Sequence, residues 1–268
     1  MNRSGFAPRV IPPLPRMWRG RFLLERNLVA MRTIWPVLLS GFFEPFFYLI
    51  AMGVGLGDLA GEVDFAGSPV EYVAYIAPAM LAASAMNGAV FESTGNMFFK
   101  LRYGKIYDGI LATPVEPTDV ASGEIVWTLS RGAAYSVAFM MVMAAMGLIE
   151  SPLGILAFPA TVLIGFAFGA MGTAGTTYMR TWQDLDIVAF ITVPLFLFSA
   201  TFYPLSVYPV PLQVVAWFSP LYHGVVLLRG LTLGVLSWTM LVNVAYLGLL
   251  GAVGSVITAR RIDKMLRV

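Results

Sequence analysis

The chain has 268 residues, of which 58% are hydrophobic and only 12% charged; its net charge is +2 and its mean hydropathy +0.78. A soluble domain carries about one-quarter charged residues. This composition therefore excludes a nucleic-acid-binding protein, a disordered chain and an ordinary cytosolic enzyme, and it places most of the chain in lipid. There is no cysteine, hence no disulfide, iron–sulfur cluster or thiolate metal site.

Residues 1–33 form a basic arm holding Arg3, Arg9, Arg16, Arg19, Arg21, Arg26 and Arg32, with Pro8, Pro12, Pro13 and Pro15 among them. The arm is not a cleavable signal peptide, because the first long apolar run begins only at Ile34 and is too long for a signal core. From Arg16 to Met31 the chain can wind as an interfacial helix with Trp18, Phe22 and Val29 along one side; a solvated basic leader fits the same residues.

A bilayer core needs roughly 20 apolar residues as helix. Six such runs follow: Ile34–Leu56 with one acid, Glu44; Tyr72–Phe91, rich in Ala and Met; Leu129–Ile149; Leu153–Tyr178, Gly-rich; Ile187–Leu205, broken by Pro194; and Leu236–Ala259. The second is the weakest, since Ala contributes little to insertion. A seventh stretch, within 209–234, is interrupted by Pro211, Pro220, His223 and Arg229 and reads as an outer re-entrant segment. Arg229 would there need an acid or a carbonyl as partner. With both termini inside, 16 of 17 basic residues fall on the cytoplasmic side, while Asp58, Glu62, Asp64 and Glu71 fill the first outer loop. That asymmetry fixes the orientation and an even span count.

The longest predicted cytoplasmic loop, 92–128, is balanced in charge and rich in aromatics. An amphipathic connector could look like this, but a connector needs far fewer residues. A protein-docking surface fits better, with Phe98, Phe99, Leu101 and Tyr103 as apolar anchors, Lys100, Arg102 and Lys105 at the rim, and Asp108 beside them. Membrane lipid is the other neighbour.

Several chemistries are absent. Gly104-Lys105 is followed by Ile106, so there is no phosphate-cradling G-x-x-x-x-G-K-[ST] loop and the chain cannot hydrolyse ATP alone. One His and no Cys exclude the usual zinc sites. Asp184 and Asp186 read as a solvated turn beside Arg180 and Trp182. Glu44 is the one acid inside a span; such a carboxylate faces a cavity, a partner helix or an ion path. Gly165, Gly169, Gly172 and Gly175 give the fourth span a face for close helix packing, within the chain or between two copies.

Three strings carry a resemblance. The first is Leu111-Ala112-Thr113-Pro114 with Gly123-Glu124-Ile125-Val126-Trp127 and Arg131-Gly132. The second is Pro194 to Ser199 running into Phe202-Tyr203-Pro204-Leu205. The third is Pro220-Leu221-Tyr222-His223 with Leu228-Arg229-Gly230. With six spans and a basic tail, the chain resembles the permease subunits of ABC-2-type exporters, the branch of the nodulation-factor and daunorubicin-type export permeases. Ala200 departs from it, where a small residue, often Gly, follows the Ser. The resemblance implies an all-α integral membrane fold: an interfacial helix within 1–33, then a six-span domain over 34–268 with a re-entrant hairpin before the last span. It also implies a bacterial inner-membrane exporter built from two permease copies, or one copy and a close relative. Two separate ATP-binding subunits would carry the ATP and Mg²⁺, with no cofactor in this chain and no nucleic acid among its partners. Glu44, Phe47, Phe196 and Phe198 are the expected lining of the pathway, at the first and fifth spans. Three other readings stand beside this one. A proton-coupled carrier working through Glu44 calls for several buried charges, of which the spans show one; a membrane-embedded enzyme calls for a polar cluster at one membrane face, of which the sequence shows none; and an assembly factor makes no such demand.

Overall fold

A computed structural model of the chain describes residues 19–31 and 35–266, with the side chains of 35–42, 44, 45, 54, 58 and 266 left aside. The basic arm before Arg19 and the Glu44 side chain, both singled out in the sequence, lie outside the described residues.

Helix α1 (Arg21–Met31) is followed by α2 (Trp35–Ala60) and by a two-stranded antiparallel hairpin, β1 (Glu62–Phe65) and β2 (Ser68–Glu71). The hairpin is a local exception to the all-α expectation. Its turn residues Ala66 and Gly67 both have positive φ, the backbone that a tight two-residue hairpin turn needs, and the Gly67 amide donates to Asp64 Oδ1 at 3.0 Å. Helix α3 (Tyr72–Phe91) continues without a break through two wide π-helical stretches, Glu92–Asn96 and Phe99–Tyr103. After a short helix α4 (Ile106–Leu111) come the long α5 (Pro117–Ala145) and, behind a 3₁₀ turn at Pro152–Leu156, α6 (Ala157–Thr176). The chain closes with α7 (Asp184–Phe198), α8 (Val210–Phe218), α9 (Pro220–Leu233) and α10 (Thr239–Leu266).

Helix α3 is the centre of the molecule, and nearly every residue from Tyr72 to Ala89 is buried. That explains its weak hydropathy: an Ala-rich surface meets protein, and small side chains let neighbours come close. A Cβ on Gly88 would lie 2.5 Å from the Tyr135 ring of α5, so this crossing tolerates only glycine. Pro78 sits inside α3 without ending it. Most of the glycine face of α6 packs within the chain, Gly165 and Gly169 on Leu129 and Thr128 of α5 and Gly172 on Ser93, while Gly175 is exposed. By contrast α7 buries none of its residues.

Three boundaries differ from the sequence reading. The third span starts not at Leu129 but at Pro117, because Glu116 and Asp119 form a capping box around a proline at the first helical position. The predicted 92–128 loop is consequently mostly helix. The fifth run ends at Phe198 rather than Leu205, and Pro194 does not break it. Helices α8 and α9 form a pair bent by 85° at Ser219–Pro220. Among the described residues four helices are long and apolar enough to cross a membrane, or five if the bent pair is one span.

The end of the bundle that carries Lys100, Arg102, Lys105, Arg180, Arg260 and Arg261 is called the basic end below. At the opposite end, Arg229 of α9 is buried at 2% exposure and has no ion pair among the described residues. Its Nε donates to the Tyr75 carbonyl at 3.1 Å and its Nη2 to the Ala200 carbonyl at 3.1 Å, and the guanidinium lies 3.7 Å from the Tyr75 ring. Phe65 of the hairpin covers it at 5.9 Å. One cation thus ties α9 to α3, to the turn after α7 and to the hairpin. Gly234, with φ +80, ends α9. We expect Arg229→Met to lower the thermal unfolding midpoint of the purified protein, because two buried carbonyls lose their donors at about 1–3 kcal/mol each; Arg229→Lys, which can restore one bond, should lose less.

Candidate functional site: a buried charge cluster beneath an amphiphilic cavity

Where α3 widens into π-helix, Glu92 turns its carboxylate into the bundle at 1% exposure. Oε1 accepts from Trp127 Nε1 at 2.8 Å; Oε2 accepts from Asn96 Nδ2 at 2.6 Å and from Arg131 Nη1. Arg131 of α5, 4% exposed, also donates through Nη2 to the Tyr135 hydroxyl at 2.7 Å. Lys100 Nζ lies 2.8 Å from Glu124 Oε2 and 3.5 Å from Glu92 Oε1. Two carboxylates and two cations therefore balance in the interior, the condition under which charges can be buried. A π-helical turn holds an extra residue and frees backbone groups. Here the freed groups are met by side chains: Thr176 Oγ1 of α6 donates to the Ser93 carbonyl at 2.7 Å, and Thr94 Oγ1 to the Val90 carbonyl at 2.7 Å.

Arg131 and Tyr135 also form part of the wall of a cavity of about 1240 Å³. The lining from α3 and α5 includes polar Asn87, Thr94, Asn96 and Arg131, and the lining from α2 and α7 is mostly apolar, with Tyr48 and Met52 of α2, Leu185, Val188 and Phe196 of α7, and Phe202 after it. Small-molecule pockets run to roughly 1,000 Å³ at most, so this space exceeds a drug-sized site. Phe196 is the one expected lining residue whose side chain reaches it, at 5.6 Å from Tyr48 and 5.3 Å from Phe202. Phe198 lines instead a smaller apolar groove between α7 and α8, and exposed Phe47 stacks on Phe43. Among the described residues no group of three or more metal-ligating side chains occurs.

The docking residues divide. Phe99 and Tyr103 are exposed and stacked, and exposed Trp182 joins them at 6.1 Å from Tyr103. Phe98 is fully buried behind them and is part of the core, not an anchor. Lys100 points inward and is no rim residue. Arg102 donates to the Met179 carbonyl at 2.9 Å, Leu101 is half-buried, and Lys105 and Asp108 are exposed. Sequence reasoning missed Glu92 and Glu124 because it placed both in a loop, and it took Arg131 for a residue at the mouth of a span. The Glu116-Pro117-Thr118-Asp119 cap was the signal that would have extended the helix and drawn both inside. The expectation of one buried charge and no polar cluster is thereby corrected. The solvated acidic turn has a simpler role, with Asp184 Oδ2 accepting the Arg180 and Thr181 amides at 2.7 and 3.0 Å.

At the opposite end, Pro220 opens α9 and Ser219 caps it. His223 is buried between Nδ1 at 2.8 Å from Asn243 Oδ1 and Nε2 at 2.9 Å from the Trp217 carbonyl, and Tyr246 donates to the Phe218 carbonyl at 2.7 Å. Two side chains thus satisfy the carbonyls that end α8 at the bend.

Residues 20–233 match the ABC-2 type transporter family. This chain belongs to that family. Similar proteins include Nodulation protein J of Sinorhizobium fredii (strain NBRC 101917 / NGR234), 33% identical over 227 residues and 82% of either chain. Those of Rhizobium leguminosarum bv. trifolii and Rhizobium meliloti (strain 1021) are 29% identical over 212 residues (78% of this chain, 79% of the relative) and 27% over 219 (81% and 80%). The family and the apolar helices make the ABC-2 chain a multi-pass membrane protein, the permease subunit of an ABC transporter that works with an ABC ATP-binding subunit.

Breaking the Glu92–Arg131 pair of this ABC-2 permease from either side leaves an uncompensated buried charge, at about 3–5 kcal/mol. Glu92→Gln and Arg131→Gln should each lower the thermal midpoint sharply, and the double variant should cost less than the sum by about 1–3 kcal/mol. Additive losses across the thermal-unfolding cycle would show that the two charges do not depend on each other.

Proposed function

We propose that this permease forms half of the pathway of an ATP-driven exporter for an amphiphilic cargo such as a glycolipid, an oligosaccharide or a drug. The observation that carries this reading is the cavity, which has polar lining residues on α3 and α5, Arg131 among them, and mostly apolar ones on α2 and α7. A headgroup has hydrogen-bonding partners on one side and a tail has apolar walls on the other. The chain sits in a bacterial inner membrane with both termini and the basic end in the cytoplasm, as the basic asymmetry of the sequence favours. Helices α2, α3, α5, α6, α7 and α10 serve as six spans, and α8–α9 as a re-entrant hairpin on the outer side. Support for the hairpin comes from its 85° bend and from the shortness of its two arms, 9 and 14 residues.

The permease works as two copies, or with a close relative, on two cytoplasmic ATP-binding subunits that hold the ATP and Mg²⁺. Helix α7 supports the pairing: it buries none of its residues in its own chain, yet it walls the cavity. A second copy against α2 and α7 would close the space, and two-fold closure is the commonest assembly. The proton-coupled alternative through Glu44 finds no unpaired charge on the cavity wall among the described residues, where Arg131 is paired with Glu92.

Two experiments test the reading. Cysteines placed at Phe47 or Phe198 in this cysteine-free chain should cross-link between copies in membranes; cross-linking confined to positions on α6 would contradict a pathway walled by α2 and α7. The exposed pair Phe99 and Tyr103, with Asp108 on α4, is the surface offered to the ATP-binding subunit. Phe99→Ala with Tyr103→Ala should abolish transport-coupled ATPase activity while membrane insertion stays intact, and normal transport by that double variant would remove the docking site.

A further inference from the structure

Helix α3 and its π-helical continuation run unbroken from Tyr72 to Tyr103, and halfway along them stands a single carboxamide, Asn87. Its neighbours Met86, Gly88, Ala89 and Val90 are apolar. Asn87 is half-buried and lines the cavity. The other polar side chains that α3 and α5 bring to this wall are already engaged. Thr94 donates to the Val90 carbonyl, Asn96 donates to Glu92, and Arg131 donates to Glu92 and to the Tyr135 hydroxyl. The Asn87 amide, by contrast, makes no hydrogen bond to any described residue. Two N–H donors and a carbonyl acceptor are thus left open at the middle of an apolar helix. A polar group in such surroundings costs free energy unless it finds a partner. The described chain supplies none, so the partner comes through the cavity.

The chemistry of that partner follows from the wall around it. The charge of Arg131 is cancelled there by Glu92, and no other charged side chain lines the cavity among the described residues. An ionic headgroup would therefore meet no counter-charge at a depth where an unpaired ion is expensive. A carboxamide donates and accepts at once. Its best match is a group that does both without charge, an amide or a hydroxyl, while the mostly apolar residues of α2 and α7 across the cavity take the rest of the molecule.

We propose that Asn87 is a specificity-determining residue of the pathway, receiving an uncharged amide or hydroxyl of the cargo at mid-membrane depth and discriminating against charged headgroups. The contact rests on the reading above that the cavity is the path of an amphiphile.

The test uses the full permease with its ATP-binding subunit in liposomes. A single cysteine at Val193, exposed on the cavity wall, carries an environment-sensitive fluorophore. The probes are decyl-chain amphiphiles that differ only in the head: an amide-linked polyol, a sulfate and a trimethylammonium. Titration of each reads its apparent Kd from the label. In the otherwise unaltered chain the polyol amide should bind about tenfold more tightly than either charged head. Asn87→Leu, apolar and of the same branched shape, should weaken the polyol amide about fivefold to tenfold, the effect of one lost hydrogen bond to an uncharged group. It should leave the charged heads unchanged and the thermal midpoint undiminished, because the amide holds nothing within the chain. Asn87→Gln, which keeps the amide, should keep the ranking. An amide that merely supports the fold predicts the opposite, a lowered midpoint in Asn87→Leu and an unaltered ranking of heads. Equal binding of the three heads by the unaltered chain overturns the proposal without recourse to any variant, and so does undiminished polyol binding by Asn87→Leu; in both cases the cavity still holds an amphiphile. A label that no probe moves overturns the cavity reading, and the role of Asn87 with it.

Discussion

The placement of one carboxylate, Glu92, governs the basic half of this molecule. A carboxylate in an apolar bundle survives only if donors surround it, and Glu92 has four donors from two elements: Trp127 and Arg131 of α5, and Asn96 and Lys100 of its own chain segment. An ideal α-helix would not sustain this, because its backbone spacing is fixed. The π-helical turn that begins at Glu92 adds a residue, and the carbonyl it frees at Ser93 is met by Thr176 of α6. The charge cluster, the wide helix and the α6 contact are therefore one construction. Remove the ion pair and α3 has no reason to stay wide; straighten α3 and the Ser93 carbonyl loses its place against α6.

The two ends of the bundle solve the buried-cation problem differently. At the basic end Arg131 meets a carboxylate, so charge cancels charge. At the opposite end Arg229 meets only carbonyls and aromatic faces, from Tyr75, Ala200 and Phe65. Arg131 ties α5 to the π-helical end of α3, and Arg229 ties α9 to α3, the turn after α7 and the hairpin, each with one planar, many-donor group, a task for which a lysine is poorly shaped. Between the ends the helices touch through Ala and Gly, whose close approach holds by shape alone. A structure pinned by polar groups at its ends and joined by smooth contacts in the middle suits a chain whose helices must move relative to one another.

The cavity follows from the same arrangement. Helices α3, α5 and α6 form a tight centre, while α2 and α7 stand at its side with exposed aromatic and branched residues. The Glu92 cluster reaches the wall of the space between through Asn96, Arg131 and Tyr135. Transport chemistry in an ABC-2 permease is positional: the chain makes and breaks no covalent bond, and its contribution is where it puts polar and apolar surface and how it changes that placement.

Much of this was legible in the sequence. Composition, the spacing of apolar runs and the one-sided basic residues read directly as a multi-pass membrane protein, because insertion depends on local hydropathy and local charge. The broken stretch around Pro211 and Pro220 read as bent, since proline acts within a few residues of itself, and Arg229 read as a cation in need of an acid or a carbonyl. What only the tertiary structure decided is which polar residues face one another. Glu92 and Arg131 are 39 positions apart, and no local rule pairs them. Lys100 and Phe98 read as surface because their segment mixes aromatic and charged residues, yet the fold turns both inward. Hydropathy reports what a segment prefers on average. The burial of a single charge is settled by the partner that the fold brings to it.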